Sequence, residues 1–100
     1  MNLRQIHHVA IIVSDYKKSR KFYVETLGFQ IIRENYRPSR GDYKLDLKLE
    51  GCELELFSAS GNPPRPSYPE ACGLRHLAFR VDDVDAAIAE LREKGIETEP

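Results

Sequence analysis

One ten-residue stretch of this chain occurs twice. Ile6-His7-His8-Val9-Ala10-Ile11-Ile12-Val13-Ser14-Asp15 returns 68 residues later as Leu74-Arg75-His76-Leu77-Ala78-Phe79-Arg80-Val81-Asp82-Asp83. The histidine, the alanine, the last valine and the last aspartate keep their places. Each copy runs on into a helix-like segment closed by a glycine, Gly28 in the first and Gly95 in the second. The second glycine comes one residue early, which a single deletion in the helix accounts for. The period exceeds the roughly 20–50 residues of solenoid units. It specifies two copies of one supersecondary module facing each other.

Local patterns fill in the module. Ile6–Val13 is rich in β-branched residues and ends at Ser14-Asp15, so it reads as a strand. Val9, Ile11 and Val13 share one side of it; His8, Ala10 and Ile12 share the other. Ser14 or Asp15 caps a helix over Tyr16–Leu27, and Gly28 stops it in a left-handed conformation. Its apolar stripe is Tyr16, Ser19, Phe22, Tyr23, Thr26 and Leu27. Phe29–Tyr36 alternates loosely as a second strand. Tyr43–Leu49 alternates cleanly, and the Glu50-Gly51 turn leads into a fourth strand, Cys52–Phe57, antiparallel to the third. In that strand Leu54 and Leu56 lie on one face, with Glu53, Glu55 and Phe57 on the other.

Ser58–Gly73 carries Pro63, Pro64, Pro66 and Pro69 and cannot run through a sheet interior. The expected organisation is module one over 1–57, a linker over 58–73 and module two over 74–100. The second copy opens with a strand over Leu74–Val81, whose Leu77, Phe79 and Val81 face the helix side. A helix over Asp83–Lys94 follows, capped by Asp82 or Asp83, with Val84, Ala87, Ile88 and Leu91 on one stripe. The fold class is therefore α+β: two pseudo-symmetric β-α-β-β-β modules, the second incomplete after its first strand and helix. At the repeat spacing the counterpart of Glu55 falls near position 123, beyond Pro100, so a C-terminally truncated domain is expected.

Composition removes several function classes. The net charge is −1 and 31% of residues are charged, which is no footprint for nucleic acid. No apolar run approaches the roughly 18–20 residues of a membrane span, and no signal peptide precedes Ile6. Cys52 and Cys72 form neither a CxxC pair nor a disulfide framework. They read as free thiols of a cytoplasmic protein, with Cys52 as packing filler.

The residues with chemistry are His8, His76 and Glu55. All three fall on the strand face opposite the apolar one. A pseudo-two-fold axis would bring the two imidazoles together, and small Ala10 and Ala78 leave room beside them. Two imidazoles and a carboxylate in one hollow suit a divalent first-row metal ion. A single histidine on a strand is usually a core or rim residue; two at the matched position of a repeat ask for another explanation. His7 points to the helix side and is read as structural. Glu53 shares the face of Glu55 but sits nearer the turn. Phe57 and Arg80 are candidates for substrate contacts, beside their plain reading as a rim aromatic and a solvated arginine.

These residues carry a resemblance. His8-Val9-Ala10-Ile11-Ile12-Val13-Ser14-Asp15 with Phe22-Tyr23 and Leu27-Gly28-Phe29, then Glu53-Leu54-Glu55-Leu56-Phe57, then Gly73 to Asp83, resemble the vicinal oxygen chelate superfamily of glyoxalases, bleomycin-resistance proteins and extradiol dioxygenases, in its glyoxalase I-like branch. The resemblance implies a metal held by His8, Glu55 and His76, with a fourth ligand, a glutamate of a final strand, that has no counterpart here. It implies one divalent ion (nickel, zinc, cobalt, manganese or iron), a homodimer and a small-molecule substrate. The implied reaction is that of a lactoylglutathione lyase: a 2-oxoaldehyde–thiol adduct loses a proton α to its carbonyl, an enediolate forms, and Glu55 or the final glutamate shuttles the proton. The alternatives are an iron(II) ring-cleaving dioxygenase and a non-catalytic binding module of the same fold.

Overall fold

The structure is a computed structural model that describes residues 1–99. The chain divides into two compact units, Met1–Pro64 and Arg65–Pro100. The division falls inside the proline-rich 58–73 stretch.

The first unit is a sheet with a helix against it. Its elements are strand β1 (His8–Ile12), helix α1 (Tyr16–Arg20), strand β2 (Gln30–Arg37), strand β3 (Asp42–Leu49) and strand β4 (Cys52–Ala59). The strand order is β1-β4-β3-β2. β1 runs parallel to β4, and the β2–β3 and β3–β4 pairs are antiparallel. Gly51, at φ +79°, makes the turn between β3 and β4, a conformation that glycine enters without the clash a side chain meets.

Alternation decides the two faces. Leu45 pairs with Leu56 and Leu47 with Leu54. These four leucines are 0–1% exposed and form the core with Val13. Val9, Ile11, Tyr16, Tyr23, Val24 and Phe29 cover it. Burying each leucine is worth about 1.5–3 kcal/mol. The opposite face is polar and carries His8, Lys44, Asp46, Glu53 and Glu55.

Asp15 caps α1 as expected, its carboxylate accepting from the Lys18 amide at 3.1 Å. The helix then departs from the expected single α-helix: Lys21–Thr26 is a π-helical turn. Its widened turns close on the Leu27 amide, which donates to the Phe22 carbonyl five residues back. The wider turn rotates Val24 onto the core, a position outside the stripe that a 3.6-residue period gives. Gly28 ends the segment at φ +83°.

β2 holds the other irregularity. Ile31 pairs with Leu47 and Arg33 with Asp46, so Ile32 is an extra residue, a β-bulge. The bulge sends Arg33 to the polar face; unbroken alternation would place it with Ile31 on the core side.

The second unit contains helix α2 (Val84–Glu93), capped by the Asp83 carboxylate on the Ala86 amide at 3.0 Å. Ala87, Ile88 and Leu91 are half-buried, whereas Val84 is exposed. Residues 74–81 have no strand ladder among the described residues. A strand exists by pairing, and among the described residues α2 is the one regular element of this unit. Leu77, Phe79 and Val81 accordingly stay 37–45% exposed.

Candidate metal centre

Parallel pairing of β1 with β4 sets His8 opposite Glu53 and Ala10 opposite Glu55. All four side chains therefore share the polar face. Ala10 presents a methyl group, so the longer Glu55 reaches diagonally back to His8. Glu55 Oε2 stands 3.8 Å from His8 Nε2. That separation is shorter than two metal–ligand bonds of about 2.0–2.2 Å laid end to end, so one ion can reach both atoms. An imidazole nitrogen and a carboxylate oxygen also suit a divalent first-row ion chemically. Within the first unit the donor set thus fits the implied metal with two ligands. Among the described residues, no group of three or more His, Cys, Asp and Glu side chains gathers as a metal site.

His76 and Arg80 belong to the second unit, both exposed, in the 74–81 segment. Phe57 is on β4 as expected and is half-buried. The Arg37 guanidinium lies over its ring at 5.0 Å and the Lys44 ammonium at 5.7 Å.

The polar face also holds residues that the sequence reading passed over. Asp46 is fully buried, and two cations meet its carboxylate. Arg33 Nε donates to Oδ2 at 2.5 Å and Lys44 Nζ to Oδ1 at 2.8 Å. Lys44 Nζ also stands 3.8 Å from Glu55 Oε1, and Arg33 Nη2 donates to Glu53 at 3.3 Å. One chain of polar contacts, Arg33–Asp46–Lys44–Glu55–His8, thereby crosses every strand of the sheet. The sequence signal for it was the run Lys44, Asp46, Lys48 alternating with leucines, which reads equally well as a solvated face.

His7, read as structural, lies beside His8 instead. Its ring sits edge-on to that of His8, with the two Nδ1 atoms 2.9 Å apart. One of the two nitrogens must donate. With the hydrogen on His8 Nδ1, His8 Nε2 keeps its lone pair toward Glu55, the form that binds a metal.

The model of the Glyoxalase/Bleomycin resistance protein/Dioxygenase superfamily matches residues 5–100. The chain belongs to that superfamily. It is 61% identical over 101 residues to the protein YwkD of Bacillus subtilis, covering 100% of this chain and 79% of that one. The solved glyoxalase family protein from Enterococcus faecalis superposes with a TM-score of 0.92 at 58% identity, over 100% of this chain and 79% of the other. Two further relatives have catalytic names. Human mitochondrial methylmalonyl-CoA epimerase is 31% identical over 95% of this chain and 56% of its own length. A Synechocystis protein named "Probable lactoylglutathione lyase" is 31% identical over 88% of this chain and 68% of its own. The superfamily fold thus accounts for the α+β architecture and the mixed sheet of four strands.

Proposed function

We propose that this chain is a metal-dependent lyase or isomerase of the glyoxalase I type, acting on a small 2-oxoaldehyde–thiol adduct. The observation that carries the reading is the approach of Glu55 Oε2 to His8 Nε2 at 3.8 Å on one polar sheet face. His8, Glu55 and His76 would hold one divalent ion, and the ion when bound supplies Lewis acidity toward neighbouring substrate oxygens. Glu55 takes the proton from the carbon beside the carbonyl and returns it to the adjacent carbon. Its second oxygen carries that proton. Phe57 offers an apolar ring to the substrate, and Arg80 a charge for an anionic end. A homodimer and a cytoplasmic setting belong to the same proposal.

The epimerase named among the relatives supports a second reading. In that reading Glu55 would remove a proton α to a thioester carbonyl, and a different acid on the opposite face would return a proton to the same carbon. The two readings share the abstraction and differ in where the proton goes.

Turnover separates them. The chain is loaded with nickel, cobalt, manganese or zinc and supplied with methylglyoxal and a thiol. Product formation that disappears in Glu55→Gln and His8→Ala supports the lyase. Metal binding without turnover under any ion rejects it. Washout of the α-hydrogen of an acyl-CoA thioester in heavy water, without methylglyoxal turnover, moves the assignment to the epimerase.

A further inference from the structure

We infer that Lys44 is a positioning residue that holds one oxygen of Glu55 off the metal; this rests on the reading of Glu55 as both ligand and proton carrier. The two oxygens of Glu55 face different partners. Oε2 addresses His8 Nε2 and Oε1 addresses Lys44 Nζ, each at 3.8 Å. The side chains involved are enclosed: Lys44 is 25%, Glu55 15% and Asp46 0% exposed. A free carboxylate beside a divalent ion can turn and offer both oxygens. Here the ammonium beside Oε1 opposes that turn.

Lys44 can do this because it is itself held. Its ammonium donates to Asp46 Oδ1 at 2.8 Å, and Asp46 is fixed at its other oxygen by Arg33. The stem of Lys44 also keeps its charge above the Phe57 ring. A lysine on a flexible four-carbon stem becomes a fixed point charge. At 3.8 Å the contact with Oε1 is an ion pair and not a hydrogen bond. The lone pairs of Oε1 would therefore stay open to accept a proton from substrate, with Oε2 the oxygen that would hold the ion.

A residue that merely supports the fold would weaken metal binding when removed. Lys44 has the opposite sign. Its removal lets Glu55 offer two oxygens and deletes a positive charge near a cation, so binding tightens. The experiment is a cobalt(II) titration of the chain, read by equilibrium affinity and by visible d–d absorption. Lys44→Met is expected to lower the cobalt Kd by about tenfold and to reduce the molar absorption as coordination number rises. Lys44→Arg is expected to retain the wild-type spectrum. Unchanged or weaker binding by a folded Lys44→Met with an unchanged spectrum overturns the inference alone. If wild type takes up no cobalt, the parent reading falls with it. Should Lys44→Met fail to fold, Asp46→Asn gives the second reading: it frees the ammonium, and an unaltered cobalt spectrum there overturns the inference.

Discussion

Arg33 reaches Asp46 across the β2–β3 ladder because Ile32 is one residue too many. The bulge costs a ladder position and moves a guanidinium to the face where the buried carboxylate lies. Removing Arg33 leaves Asp46 with Lys44 alone. Arg33→Ala should therefore lose about 1–2 kcal/mol, below the roughly 3–5 kcal/mol of a fully enclosed pair, since Arg33 is 55% exposed. Urea unfolding in a double-mutant cycle with Asp46→Asn measures it; additive single effects would show that the pair is not coupled.

The core is small, so each member of it counts. Leu56 is 0% exposed and meets Leu45 across the β3–β4 ladder. Leu56→Ala should cost about 2–5 kcal/mol, enough to unfold much of a small domain. Urea or guanidinium midpoints decide, and a loss under about 1 kcal/mol would mean that the sheet closes over the gap.

Acid should weaken the contact between α1 and β2. Glu34 accepts from Arg20 Nε at 2.7 Å and from the Tyr16 hydroxyl. The Arg20 hydrogen bond first, and the tyrosine next, hold its carboxyl below the ordinary value of 4.5. The folded state thus binds that proton more weakly than the unfolded chain. Its stabilisation is complete above the ordinary glutamate range and fades as pH falls through the folded value. Both partners are about a third exposed, 39% and 33%, so the effect stays below about 1 kcal/mol. Glu34→Gln should lower the melting temperature at neutral pH, and the gap from wild type should close below pH 4.5. A constant gap across that range would exclude the ionised carboxylate as its source.

His7 should matter to metal affinity although it is not among the proposed ligands. Its Nδ1 lies 2.9 Å from His8 Nδ1, where it can fix the tautomer that leaves Nε2 free. Loss of such a partner typically costs 10–100-fold in affinity. His7→Ala should raise the Kd for zinc or nickel by about that factor, read by isothermal calorimetry. Wild-type affinity in His7→Ala would assign the contact to packing.

How far the sequence was legible follows the regularity of each element. β3 and β4 alternate strictly, so their core leucines and the polar position of Glu55 were readable. β2 was not, because an extra residue at Ile32 breaks the period of two on which the reading rests. The helix start was readable from Asp15, but the π-helical turn leaves no mark in a pattern sought at 3.6 residues per turn. His8 stood out through the repeat, whereas Asp46 and Lys44 looked like ordinary solvated charges. Their role depends on which neighbours the register supplies. The strand expected at 74–81 shows the complementary limit: apolar alternation gives a capacity to pair, and pairing needs a partner.

β1 lies at an end of the sheet, with β4 along one side. The Val13 amide turns inward to the Phe57 carbonyl, and by alternation so do those of Val9 and Ile11. The amides of His8, Ala10 and Ile12 point the other way. Among the described residues, the imidazole proposed to grip a cation thus rides on a strand with a ladder on one side only. Exchange of those three hydrogens with heavy water would then slow when an ion docks, giving a footprint of occupancy that needs no substrate at all.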